Sequence, residues 1–255
     1  MVSKTALMCA ATCAALAVSS APASAQSLKE KGICPGVQVF GEAIPVRLMR
    51  VVAPVPRVHF VEDKLSKAKS SCPSSAPECQ RKGFVVPGDE LLTGWSNGAY
   101  LCAAYVSPNA KRVKGQFPET NGYLPLAALQ EIKVPEAKLG DWQGQWTRSA
   151  EAEITITAGA GKLKLAGQAT YGAHDAGRVA RGAINIGELE GEATPEGNIM
   201  AFGEDYTDPT KPFGDDRSEC RARLQLFGRY LLVEDNGGCG GNNVSFTGIY
   251  IRLKP

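Results

Sequence analysis

Histidine is scarce: His59 and His174 are the only two in 255 residues. A Ser–His–Asp set would have to recruit one of them, and no Gly-x-Ser-x-Gly elbow presents a serine to it. His174 sits in a turn-like stretch, Gly172-Ala173-His174-Asp175-Ala176-Gly177, where a histidine beside an aspartate reads as an exposed polar group. Charge of one sign is lacking too. With 28 Lys and Arg against 26 Asp and Glu the net charge is +2, which gives no dense basic field for a phosphate backbone. Nucleic acid is therefore not an expected partner. No C-x2-C pair occurs and neither histidine stands at ligand spacing, so a zinc site is not expected. The glycines Gly237 to Gly241 are followed by no Gly-Lys-Ser/Thr and no helix, so they do not form a nucleotide cradle. No cofactor is implied. Hydrophobic residues at 44% and charged residues at 21% nonetheless suffice for a packed core.

The longest apolar stretch lies at the N-terminus. Lys4 precedes Ala6 to Val18, and Ser19 to Ala25 ends in Ala23-Ser24-Ala25, the small-x-small pattern of a signal peptidase site. The run is too short to cross about 30 Å of hydrocarbon. Residues 1–25 are expected to be a signal peptide cleaved after Ala25, sending the chain to the periplasm or outside the cell. No later segment approaches the roughly 20 apolar residues of a spanning helix. Removing the signal removes Cys9 and Cys13 and leaves Cys34, Cys72, Cys79, Cys102, Cys220 and Cys239. An even number in an oxidising compartment reads as disulfides. If Cys220 and Cys239 pair within one domain, three pairings remain for the other four. A Cys72–Cys79 bridge would clip the Ser- and Pro-rich loop Leu65 to Arg81 and leave Cys34 with Cys102. Such a clip removes roughly 2–3 kcal/mol of unfolded-chain freedom.

Residues 26–57 read as an N-terminal extension interrupted by Pro35, Pro45, Pro54 and Pro56. From Gly83 the pattern turns to short β-runs: Phe84-Val85-Val86, the turn Pro87-Gly88-Asp89, Leu91-Leu92, Tyr100 to Val106 and Gly122 to Leu129. This order resembles a bacterial SH3-type domain over residues 58–131, with a diverging turn at Pro-Gly-Asp and a Gly-Tyr-x-Pro one-turn helix before the last strand. The resemblance implies a small β-barrel, and it implies peptidoglycan or an envelope protein as partner. Two aromatic positions of the binding SH3 domains hold Ala99 and Ala128 here, so the groove for proline-rich peptides is mostly missing. Trp95, Tyr100 and Tyr123 could form a small aromatic patch, or simply fill the barrel core.

Residues 132–139 read as a linker, and 140–255 as a second all-β domain. Ile154 and Ile156 alternate with Glu153, Thr155 and Thr157; Leu163, Leu165, Gly167, Ala169 and Tyr171 alternate again, as do Ala222, Leu224 and Leu226. Period two with one polar face marks antiparallel strands covered on one side. About eight strands with turns between them, and no helix beyond a turn or two, predict a meander barrel or sandwich, a closure that removes free sheet edges. Gly144-Gln145-Trp146 with the late Arg252 resembles the calycin pattern. The ending Cys-Gly-Gly-x-Asn-Val-x-Phe-x-Gly-x-Tyr resembles that of uncharacterised exported bacterial proteins, which implies no activity. The expected fold is thus all-β and disulfide-bonded, an SH3-like barrel followed by a calycin-like one.

Candidate sites are few. The acidic loop Glu204 to Asp216 could gather oxygens around calcium, yet its spacing is not that of an EF-hand, and a solvated loop is the plainer account. Glu188, Glu190 and Glu192 would project from one strand face. Glycosidic cleavage needs two carboxyls opposed across a substrate, whereas like charges along one strand usually mark its solvent side. The possible binding residues are Trp95, Tyr100, Tyr123, Trp142, Trp146, Asp235 and Asn236. The expected function is a non-catalytic binding or scaffolding protein of the bacterial envelope. One alternative is an inhibitor of a wall hydrolase such as lysozyme, with Gly237–Gly241 as its inserting loop. Another is a small-ligand carrier whose cavity is lined by Trp142, Trp146, Leu163, Leu224 and Phe246.

Overall fold

The structure, a computed structural model, describes residues 32–36, 45–64, 71–108, 119–159 and 161–253. The expected signal peptide and its cleavage site lie outside the described residues, as does most of the segment before Pro45. The regular secondary structure is nearly all strand, in two antiparallel sheets.

The first sheet contains β1 (Arg47–Val51), β2 (Val58–Val61), β3 (Gln80–Val85), β4 (Glu90–Asn97), β5 (Tyr100–Val106), β6 (Glu119–Pro125) and β7 (Leu129–Glu131), in the spatial order β3-β2-β6-β5-β4-β1-β7. A single 3-10 turn, Leu126–Ala128, joins the last two after Pro125. The turn at Pro87-Gly88 is held by Asp89, whose carboxylate accepts from the Val86 N–H at 2.8 Å while Gly88 adopts a φ of 92°. β1 falls in the stretch read as an extension, yet it is paired on both sides, with β4 and with the terminal strand β7. Its prolines bracket a five-residue strand without entering it. β5 explains why the sheet needs two covers. Leu101 and Ala103 face one apolar cluster, with Phe60, Val85 and Leu124, while Cys102, Ala104 and Val106 face another.

The second sheet contains β8 (Gly144–Ser149), β9 (Ala152–Ala158), β10 (Leu163–Tyr171), β11 (Asn185–Ala193), β12 (Ile199–Phe202), β13 (Ala222–Phe227), β14 (Tyr230–Asp235) and β15 (Gly248–Arg252). Their order, β11-β10-β9-β8-β15-β14-β13-β12, follows the chain around a nearly closed barrel. The first and last strands pair, Ile251 opposite Thr147, so the seam falls between β11 and β12. There a side chain at Gly191 would stand 3.0 Å from the Phe202 ring. Two short helices complete this half: α1 (Leu139–Trp142) leads into β8, and α2 (Ala176–Ala180) lies between β10 and β11.

The barrel is strapped to the first sheet by its outer face. Phe227, Tyr230, Leu232 and Ile249 share a cluster with Leu48, Leu92, Trp95 and Val106. The buried Tyr230 hydroxyl donates to the Glu90 carbonyl at 2.6 Å, and Arg229 stacks on its ring and donates to the Val106 carbonyl. The 132–139 segment is part of this contact: the Ile132 N–H donates to the Leu48 carbonyl at 2.9 Å, and Ile132 and Val134 pack on the shared cluster. Three disulfides complete the frame, Cys34–Cys102, Cys72–Cys79 and Cys220–Cys239.

Burial pushes the hydroxyls of Tyr123, Tyr230 and Tyr250 above their ordinary 10.0, and burial with a hydrogen bond to Asp89 takes Tyr105 to about 12. Above pH 10 the unfolded chain releases tyrosine protons that the folded chain retains, so stability falls as pH rises from 10 toward 12. Melting temperatures measured in that window should decline, with tyrosinate absorbance lagging behind that of the urea-unfolded chain. A second expectation concerns Glu119, whose carboxyl pKa is raised chiefly by burial. Its carboxyl is hydrogen-bonded by the Asn121 side chain, two residues along the same strand face, but its Oε1 and the Asn121 Oδ1 are buried acceptors with no donor among the described residues. Glu119→Gln removes the buried charge and supplies an N–H, and should raise unfolding free energy by about 1 kcal/mol in urea titrations at neutral pH.

Candidate functional site

Alternation along β9, β10 and β11 sends Ile154, Ile156, Leu163, Leu165 and Leu189 into the barrel and their neighbours outward. Strand register then decides which outward groups meet. Gln168 lies opposite both Glu153 and Glu188, and Ala166 opposite both Thr155 and Glu190. Ala166, Gln168 and Thr170 of β10 form the floor between the carboxylates of β9 and those of β11. The result is an open trough of about 390 Å3, rimmed by Glu151, Glu153, Glu188 and Glu190. Gln145 donates to Glu153 at 3.3 Å, and the His174 backbone N–H to Glu151 at 3.3 Å. Glu192, farther along the rim, pairs with Lys162 at 3.9 Å. Among the described residues neither Glu188 nor Glu190 has an ion pair. The trough therefore presents uncompensated carboxylates on a rigid wall, an arrangement suited to a cationic partner. No group of three or more His, Cys, Asp or Glu among the described residues is arranged to hold a metal ion.

The residues singled out from the sequence occupy other places. Trp95 and Tyr123 are buried together, the indole N–H donating to the Tyr123 hydroxyl at 3.3 Å and that hydroxyl to the Ile33 carbonyl at 3.4 Å. Tyr100 is half-buried against the same cluster, so the three rings fill a core and line no open groove. Trp142 and Trp146 close one end of the barrel. The Trp146 N–H donates to the Trp142 carbonyl at 2.9 Å, and the Arg252 guanidinium lies 4.6 Å above the Trp146 ring while donating to the Asp141 carbonyl. The sequence pairing of Gly144-Gln145-Trp146 with Arg252 is thus a contact between the two strands that close the barrel.

Trp142, Trp146, Leu163, Leu224 and Phe246 are all completely buried in one cluster. None leaves surface for a water-sized sphere, from outside or from an internal void, so the interior surrounding them is filled by side chains. Asp235 and Asn236 organise the far end. Asp235 Oδ2 accepts from the Ser245 hydroxyl at 2.8 Å and the Phe246 and Thr247 N–H groups at 2.5 and 3.0 Å, and Oδ1 from Gly237 N–H at 2.7 Å. Asn236 accepts from the Arg221 and Gly238 N–H groups and donates to the Asp216 and Glu219 carbonyls. Both side chains are spent on holding the loop.

That loop folds back onto the barrel. Gly240 bridges to Gly187 on β11, the Gly241 N–H donates to the Ile186 carbonyl at 3.1 Å, and Cys239, Val244 and Phe246 join the barrel core. Gly237 and the tip, residues 240–243, are exposed. The loop Glu204 to Asp216 is largely exposed, as a solvated loop would be, and is pinned at two points: Arg223, in an ion pair with Glu234 at 2.7 Å, donates to the Pro209 carbonyl, and Arg221 donates to the Phe213 carbonyl. Asp208 and Asp216 turn to Thr210 and Ser218, and these hydrogen bonds lower both carboxyl pKa values.

Of the acidic residues, Glu188 and Glu190 stood out in the sequence, whereas their opposition to Glu151 and Glu153 did not. The alternating Glu153-Thr155-Thr157 run was its one available signal, and register decides what it faces. No protein-family model, curated protein or solved structure matches the chain.

The docked loop gives a direct expectation. A Cβ at Gly187 would stand 2.4 Å from the Cys239 carbonyl oxygen and 2.8 Å from Val244. Gly187→Ala should cost about 2–3 kcal/mol in urea unfolding. Gly140→Ala, where the nearest atom is 3.9 Å away, should change stability by less than about 0.5 kcal/mol.

Proposed function

We propose that the chain is a non-catalytic binding or scaffolding protein of the bacterial cell envelope, and that the trough on β9–β11 is its binding surface. The observation that carries this reading is the pair of carboxylates without an ion pair among the described residues, Glu188 and Glu190, on a trough whose other wall carries Glu151 and Glu153, with Gln168 between Glu188 and Glu153. A partner would bring amines or guanidinium groups, such as the amino groups of wall peptides or a basic envelope protein. Three disulfides and a filled barrel support a rigid presenter, which loses little conformational freedom when it binds. In the first sheet, the run β7-β1-β4-β5-β6 with a 3-10 turn before β7 supports the SH3-type reading and, through it, a wall or envelope partner.

The inhibitor reading gains from the same trough, because an anionic rim complements a basic hydrolase. Its inserting element would be the trough wall, since Gly237–Gly241 is largely committed to the barrel.

Retention on purified sacculi tests the leading reading. The wild-type chain should be retained above a control protein. Glu188→Gln/Glu190→Gln should be retained roughly three- to tenfold less, each exposed charge contributing about 0.2–1 kcal/mol. Equal retention of the two chains would remove the trough from the account. In a turbidity assay, slowed lysis at near-stoichiometric protein would mark the inhibitor instead.

A further inference from the structure

We propose that the free edge of the first sheet, strand β3, receives an extended peptide segment rich in carboxylates from another protein. β3 is one of the two terminal strands of its sheet and, among the described residues, pairs only with β2. An edge strand leaves every second N–H and C=O directed away from the sheet, and an incoming backbone can complete that ladder.

The outward face beside this edge carries the second half of the argument. His59 and Phe84 are cross-strand partners with ring centroids 5.7 Å apart, and the Arg57 guanidinium lies 4.4 Å over the Phe84 ring. Lys82, two residues before Phe84 on the same strand face, is exposed. Phe84 and Val86, on the same face, expose 38% and 39% of their surfaces. Among the described residues neither Arg57 nor Lys82 has an ion pair, while the nearby Glu62 is engaged by Arg81 at 3.7 Å. Two uncompensated cations thus flank an exposed ring along an unpaired backbone edge.

Each feature selects one property of the partner. The ladder selects an extended main chain, the cations select carboxylates on the side chains facing them, and the ring and Val86 select an apolar or aliphatic residue between those carboxylates. A lysine placed only to deter strand aggregation needs no aromatic ring stacked under a neighbouring arginine. A lipid surface would use the charges and leave the ladder unmet. This edge belongs to the sheet opposite the acidic trough, so the two surfaces succeed or fail independently.

The test pans a displayed library of random short peptides against the full chain, with counter-selection on Phe84→Ala/Lys82→Glu. Circular dichroism and melting establish that the variant is folded; Phe84→Ala alone serves if it is not. Enriched peptides should carry Asp or Glu at alternate positions and slow hydrogen exchange of β3 amides in the wild-type chain. They should bind the variant at least about fivefold more weakly. Absence of enrichment, equal binding to both chains, or protection confined to other strands would overturn the proposal. So would binding to anionic vesicles without protection of β3.

Discussion

Strand β14 has to satisfy two cores at once. Leu231 and Val233 point into the barrel, while Tyr230 and Leu232 point out of it, and all four are buried. A barrel strand normally gives its outer face to water. Here an apolar outer face at β13–β15 would cost the molecule dearly if left bare, so the first sheet is held against it. Tyr230 shows how the polar end of such a contact is settled, its hydroxyl meeting the Glu90 carbonyl and the stacked Arg229 reaching Val106.

That constraint accounts for much of the remaining architecture. With one side of the barrel committed to packing, the β9–β11 wall stays open to solvent and carries its carboxylates. The first sheet, covered by the barrel on one face and closed over its own cluster on the other, is left with β3 as an accessible edge. The two proposed surfaces are therefore the parts of the molecule that the packing between sheets did not consume. Their charges are opposite in sign, which a net charge of +2 conceals.

Residue pattern foretold the elements well where one face was wet. The alternations at Ile154–Ile156 and Leu163–Ala169 became β9 and β10, whereas Gly-Tyr-x-Pro, read as a one-turn helix, ends strand β6 and the 3-10 turn follows it at Leu126–Ala128. It misled where both faces were buried or where prolines stood close by. Arg47–Val51, bracketed by Pro45 and Pro54, carries neither a polar face nor a long run, and its place between β4 and β7 has no local signature. Asp235 and Asn236 were singled out as polar groups in a flexible loop. Their acceptors and donors are instead turned inward, because a glycine-rich segment leaves many backbone groups for side chains to satisfy.

The amino-acid order alone determined the all-β class, the alternating strands of the second half and the six cysteines, from Cys34 to Cys239, available for pairing. These follow from periodicity and residue type, which act over a few neighbours. Only the tertiary structure decided that Cys34 joins Cys102, that the barrel interior is filled, that the Gly237–Gly241 loop is docked, and that Glu153 and Glu188 share a trough. Each of these depends on strand register or on volume complementarity between segments far apart in the chain. A shift of one residue in register would turn every side chain of a strand to its other face, and no local pattern spans that distance.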